Sequence, residues 1–310
     1  MTVIREPSLT SKASNAERHL TEELHFVRVF SDGSGGGNPA PVVLNADAMS
    51  SIAMKEIASR YGHESAFVCD PHDPTNTFRL RFFVPEHEME MCGHATLGAM
   101  WLLRRLGRWT SSAATIETLS GTVDVCYDDR LDSIRVSQPQ GRVEAINDAA
   151  MQIAIREALR IDAADLGSLG IVNATTSRTK TLIPIRSVES LHSLAPSFDV
   201  VPTLCDALGS TGLYPFAVER TCPLKLHARQ FPRSSGYPED AATGIAAAAT
   251  LYGALHYGLL AGETSGMSVL QGRAMGKPSR IDVMMRDPGH PAKGCWISGT
   301  VESTTLESIR

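Results

Sequence analysis

Three side chains stand where acid–base chemistry could be done: Glu64, His94 and Asp240. Glu64 follows the Tyr61-Gly62 helix stop and opens the apolar run Ala66-Phe67-Val68. A carboxylate at the mouth of a buried strand can serve as a general base, although a solvent-facing loop residue reads the same way. His94 sits in Gly93-His94-Ala95, at the start of a helix rich in small residues. There an imidazole can donate a hydrogen bond or relay a proton, or only cap the helix. Asp240 precedes Ala241-Ala242-Thr243-Gly244. It can cap a second helix, turn into a cleft to hold an amine or hydroxyl, or do both. Thr243, Gly244 and Ile245 would offer backbone N–H groups to a carboxylate.

The segments that carry these residues look like two copies of one device. One runs from Arg79 to Leu103 and the other from Lys225 to Leu255. Each passes from an alternating strand, through an acidic Pro-containing loop, to a glycine turn that opens an Ala-rich helix. The turn glycines, Gly93 and Gly244, lie about half the chain apart, the mark of an internal duplication. Helix N-termini present free N–H groups and a partial positive charge. Two of them facing each other would grip a small carboxylate in a cleft between lobes. The position matching Glu64 in the second copy falls near Tyr214, not on an acid. A lone carboxylate suits a single-base proton shuttle better than a symmetric two-base scheme.

A metal site is weighed against this. His87, Cys92 and His94 cluster among Glu86, Glu88 and Glu90, but no second pair completes a zinc-type ligand spacing, so no metal is expected. No GxGxxG or P-loop fingerprint is present, and SDGSGGGN lacks the P-loop lysine. Gln271-Gly272 and Lys277-Pro278-Ser279 read as surface turns. The net charge of −5 argues against nucleic acid or an anionic membrane surface as partner. No stretch is long and apolar enough to span a membrane. Six scattered cysteines without a CxxC pair read as reduced thiols, which points to the cytoplasm.

The first 23 residues are polar and lack the apolar stretch of a secretory signal, so they read as a flexible extension. Beyond them an N-terminal lobe is expected over 24–141 and a C-terminal lobe over 142–310, whose last strand, WISGTVES, can return to either lobe. Helices are expected over 47–60, with Met49, Ile52, Met54, Ile57 and Ala58 at helical spacing, and over 148–160, with Ile153, Ala154 and Leu159 among the apolar positions. The fold class is α+β: two pseudo-symmetric lobes, each a mostly antiparallel, barrel-like sheet wrapped around one slim central helix.

FSDGSGGGNPAPVVL, GHESAFV, RFFVPEHEMEMCGHATLGA, EDAATGIAAAA and QGRAMGKPSRI occur in order along the chain. In this set the chain resembles the phenazine-biosynthesis isomerase-like family, within the diaminopimelate epimerase fold group. The resemblance implies an active site between the lobes, a homodimer, and acid–base isomerisation of a small carboxylic or amino acid without metal or organic cofactor. It places the proton-moving glutamate on Glu64 and the substrate-gripping positions on Gly93, His94, Asp240 and Gly244; Asn38, Ala95, Thr243 and Ile245 are further expected substrate contacts. The family's second motif usually reads Asp-Pro-Ala-Thr-Gly-Ser, whereas here Ile245 stands in the Ser position. Losing that hydroxyl favours a substrate with an apolar group over the family's dihydro-hydroxyanthranilate, such as an unsaturated alkylproline precursor of an antibiotic. The fold group also holds two-thiol racemases. Cys92 would be the first thiol and the second would fall near Ala241, which has no acid–base group. A racemase, and a binding protein that kept the cleft, remain the alternatives.

Overall fold

The computed structural model describes residues 24–260 and 266–306. The expected extension over 1–23 lies outside the described residues. Within them the chain is α+β, and its strands follow one pairing pattern twice. Leu24–Val29 pairs antiparallel with Asn38–Val43, which runs parallel to Ser65–Cys69. That strand is antiparallel to Phe78–Phe83, itself parallel to Ala113–Thr118. Gly121–Asp128 and Ser133–Gln138 then follow as antiparallel neighbours.

The second half begins at Val172–Thr175 and repeats the order. Thr179–Pro184 is antiparallel to it and parallel to Gly212–Glu219. Leu224–Ala228, Gly266–Gln271, Ser279–Met285 and Cys295–Ser298 complete the copy in the same antiparallel and parallel sequence. The halves join where Cys295–Ser298 pairs with Ser133–Gln138. Each half also borrows a strand. Arg142–Ala145 pairs with Val172–Thr175, and Val301–Ser303 pairs with Leu24–Val29. WISGTVES is therefore two strands, one at the junction and one in the first half, broken at Gly299.

A helix fills the hollow of each half: Gly93–Arg105 in the first and Gly244–His256 in the second. Small side chains make this possible. Ala246, Ala247, Ala248 and Ala249 have no exposed surface at all. The two helix starts approach each other across Ile297. A Cβ at Gly93 would come within 3.0 Å of its Cδ1, and one at Gly244 within 2.9 Å. Any larger residue at either turn would have to push the Ile297 side chain aside.

Phe30, also at the seam, is fully buried with φ of 68°, a conformation that costs a side-chain-bearing residue about 1–3 kcal/mol. Hydrogen bonds from its N–H to Thr300 O and to its carbonyl from Arg280 N hold it there. Its ring is aimed at Gly244, so the strain sits beside the second helix start.

The outer helices correct two sequence expectations. Ser51–Tyr61 is capped by Ser50 and stopped by Gly62, but it buries Met54, Ile57 and Ala58 and leaves Ile52 72% exposed. Ala149–Leu159 buries Ile155, Ala158 and Leu159, and Ile153 is 46% exposed. In both, only one narrow stripe is covered: Ser51–Tyr61 packs on Ser65–Cys69 and Phe78–Phe83, and Ala149–Leu159 packs on helix Val201–Leu208, while Ile52 and Ile153 lie outside those contacts.

Candidate active site

The first turns of the two central helices line one cavity of about 150 Å³. Neither helix has a side-chain cap at its start. His94 and Asp240 are therefore not helix caps. His94 is the second residue of its helix, and Asp240 lies upstream of the capping position, Thr243. The N–H groups of Gly93, His94, Gly244 and Ile245 have no intrahelical partner, as first-turn groups, and all four residues border the cavity.

Glu64 enters from the loop before Ser65–Cys69, with its side chain 21% exposed. Its Oε2 accepts a hydrogen bond from the Cys92 thiol at 2.9 Å. His94 Nδ1 lies 3.5 Å from the same oxygen and 3.3 Å from the sulfur. His94 Nε2 is buried with no partner. Burial, and then the charge of Glu64, push the Cys92 thiol well above its ordinary 9.0. Cys92 is consequently a protonated hydrogen-bond donor rather than a thiolate.

Asp240 comes from the other half. Its Oδ1 accepts from Asn38 Nδ2 at 3.0 Å, and its Oδ2 accepts from the Thr243 hydroxyl. Asn38 also donates to Ala242 O at 3.1 Å, stitching the first glycine-rich loop to the second helix start. Gln271 supports this arrangement from behind. Its Nε2 donates to Asp240 O and to Thr243 Oγ1, while its Oε1 accepts from the Tyr214 hydroxyl and from Thr243 N–H. Gln271 is fully buried, which overturns its reading as a surface turn. Although Asp240 keeps some exposure, protein surrounds its carboxyl group, and burial raises its pKa above the ordinary 3.8.

The sign of that shift gives a test. A carboxyl that holds its proton more tightly when folded contributes stability that is full below 3.8 and is lost as pH rises through the raised value. Asp240→Asn removes this loss. Its thermal midpoint should fall less than the wild type's between acidic and neutral pH. Parallel curves for the two proteins would show that the burial cost is absent.

Of the residues expected from sequence, Glu64, His94, Asp240, Gly93, Thr243, Gly244 and Ile245 meet at the cavity. Asn38 and Ala95 are outside its wall. Asn38 holds Asp240 in place, and Ala95 is part of the core beneath the helix start. The sequence cluster around His87 does not form, since His87 is exposed and Glu88 is tied to Arg81. Glu64 takes its place, so that Glu64, Cys92 and His94 bring one ligand atom each within 4.8 Å of one another. The counterpart of Cys92 at the second helix start is Thr243 rather than Ala241, and its hydroxyl donates to Asp240 Oδ2.

Sequence reasoning missed Arg178, Lys180, Gln230 and Tyr237, which also line the cavity. Lys180 left one signal: it is a lysine inside TKTLIP, a strand otherwise apolar enough to be buried. Burial lowers its ammonium from 10.5 to about 8, partly offset by Asp240. A larger groove of about 970 Å³ lies elsewhere, along Ser133–Gln138 and Ser279–Met285. Its charges pair with one another or with close neighbours, as in Arg105 with Asp132 and Arg280 with Asp282, leaving no free acid–base group like Glu64.

Two duplicated α+β lobes, each a sheet closed on a central helix, with facing helix starts at the seam, define a protein of the diaminopimelate epimerase-like fold class. Residues 27–301 match the phenazine biosynthesis-like protein family, PhzC-PhzF, and the chain belongs to it. It is an isomerase, as its relatives are named. An uncharacterized isomerase of Clostridium acetobutylicum is 29% identical, with 85% of this chain and 89% of that protein covered. The uncharacterized isomerase YddE of Escherichia coli K12 is also 29% identical, over 91% and 96% of the two chains. A Bacillus anthracis phenazine biosynthesis protein of the PhzF family shares the fold, with a TM-score of 0.79, 24% identity, and coverage of 91% of this chain and 96% of that one. Among the described residues no helix is long and apolar enough to cross a membrane.

Proposed function

We propose that the protein shifts a double bond in a small unsaturated carboxylic or amino acid by moving one proton between two carbons, with Glu64 as the single acid–base group. The observation that carries this is the Glu64–Cys92 contact at 2.9 Å, which fixes one carboxylate at the mouth of the helix-start clamp. The ionised Glu64 takes an allylic C–H proton. The electron pair spreads through the conjugated system to the substrate carboxylate, where the N–H groups of Gly93, His94, Gly244 and Ile245 stabilise it. Glu64 then returns the proton to the second carbon, so no other reactant is consumed. Asp240 holds a polar group of the substrate from the opposite half. Ile245 in the cavity wall favours an alkyl-bearing substrate, such as an alkylproline precursor, over a dihydro-hydroxyanthranilate.

Racemisation by two thiols fits less well. Thr243 replaces the second thiol, and the raised pKa of Cys92 keeps the first one protonated. The reading is tested by proton NMR in D2O over a panel of unsaturated acids. A shifted double bond in at least one member is the expected result. Acids that bind without shift or exchange would make the protein a binder instead.

The Glu64, Cys92 and His94 trio also has the donor set of a soft-metal site. Here the thiol proton already satisfies Glu64, so a metal would have to displace it. Chelator treatment should therefore leave turnover unchanged, and added Zn2+ should suppress it. Loss of activity on chelation and recovery with Zn2+ would contradict the metal-free scheme.

A further inference from the structure

Part of the cavity wall has no task in that scheme. A carboxylate offers about four lone-pair sites, and the four free N–H groups of the helix starts already match them. Lys180, Arg178 and Gln230 line the same cavity and remain unused. Lys180 is 4% exposed, and its three ammonium donors reach one acceptor, Thr211 O, at a long 3.5 Å. Gln230 is 1% exposed, and neither its amide oxygen nor its amide nitrogen has a partner. The backbone is shaped around this amide. A Cβ at Gly212 would stand 2.0 Å from Gln230 Nε2.

The charges of Glu64 and Asp240 favour the Lys180 ammonium, but among the described residues neither carboxylate hydrogen-bonds or ion-pairs with Lys180, Arg178 or Gln230; their contacts are to Cys92, Asn38 and Thr243. Arg178 likewise has no ion pair among the described residues. A buried donor left without an acceptor costs about 1–3 kcal/mol, so a wall carrying several of them is built for a ligand that takes them.

We propose that Lys180, Arg178 and Gln230 form a second anion subsite, and that the substrate is a small unsaturated diacid. One carboxylate lies at the helix starts. The second accepts from the Lys180 ammonium and the Gln230 amide, with Arg178 adding charge at the rim. A cavity of about 150 Å³ lies below the roughly 300–1,000 Å³ of drug-sized pockets, which restricts the diacid to a short carbon chain. This inference rests on the cavity being the substrate site.

The test is titration calorimetry on the full chain with pairs of acids that differ by one carboxylate in place of a methyl group. Suitable pairs are trans-glutaconate with trans-pent-2-enoate, and mesaconate with tiglate. In the wild type the diacid of at least one pair should bind about tenfold tighter or more, the scale of one charge-assisted contact. Lys180→Met should reduce that preference to about threefold or less while the monoacid binds as before. It removes a buried charge, so it is expected to fold. Lys180→Arg, which keeps the charge, should retain a preference for the diacid.

Equal weakening of both acids in Lys180→Met would overturn the subsite, because Lys180 would then only balance Glu64 and Asp240. So would an unchanged preference, or no diacid preference in any pair. The isomerase reading fails separately. Lys180-dependent diacid binding without any double-bond shift would leave the subsite standing and remove the reaction. A double-bond shift with no Lys180-dependent diacid preference would do the reverse.

Discussion

Glu64→Gln is expected to lose turnover by at least roughly 10²–10⁴-fold, the range for removing a positioned acid–base group. At 1.36 kcal/mol per tenfold this is about 3–5 kcal/mol of barrier. The amide is nearly the same shape and still presents an oxygen to the Cys92 thiol, so the cavity should keep its form. Substrate-induced thermal stabilisation should persist, since the helix starts and Asp240 are untouched. Steady-state rates and ligand-dependent melting, measured on the same preparation, separate the two effects. Turnover within tenfold of wild type would remove Glu64 from the mechanism. Loss of binding together with turnover would make it a binding residue only.

The second large effect concerns stability and comes from Arg229. Its guanidinium pairs with Glu239 through two bonds, Nε to Oε1 at 2.9 Å and Nη2 to Oε2 at 2.7 Å. The two side chains are only 8% and 9% exposed. Arg229 Nη1 also donates to Leu194 O at 2.6 Å and Leu191 O at 3.3 Å, tying the loop after helix Val188–Ser193 to the sheet. Arg229→Met would leave Glu239 buried without its partner, and breaking such a pair costs about 3–5 kcal/mol. Glu239 adjoins Asp240, so the damage should reach the site as well. Urea unfolding should show the loss, and the double variant Arg229→Met with Glu239→Leu should recover part of it. A loss below about 1 kcal/mol would mean the pair behaves like a surface ion pair.

What could be seen in the chain before its fold was known follows from how local each feature is. The strand, turn and Ala-rich helix of each copy are contiguous, so Gly93, His94, Thr243 and Gly244 declared themselves and do meet at the cavity. The repeated order of strands was legible for the same reason. Arg178, Lys180 and Gln230 sit on or beside strands, where facing the cavity depends on register against distant neighbours. Gln271 reads as a polar turn residue until Tyr214, Thr243 and Asp240 close around it. The exchanged strands, Arg142–Ala145 and Val301–Ser303, are short, and only their partners show which half they serve. Ile52 and Ile153 mark the opposite failure: apolar spacing suggested burial, but each faces away from the elements its helix packs on.

The central claim is that one carboxylate, not a pair of thiol or hydroxyl groups, moves the proton. Cys92→Ala and Glu64→Gln, run side by side through the same D2O panel of unsaturated acids, test it most directly. The account predicts that Cys92→Ala still shifts the double bond, slowed by no more than about tenfold through loss of one hydrogen bond to Glu64, while Glu64→Gln does not shift it. Activity in Glu64→Gln alongside a dead Cys92→Ala would contradict it and make the thiol the base.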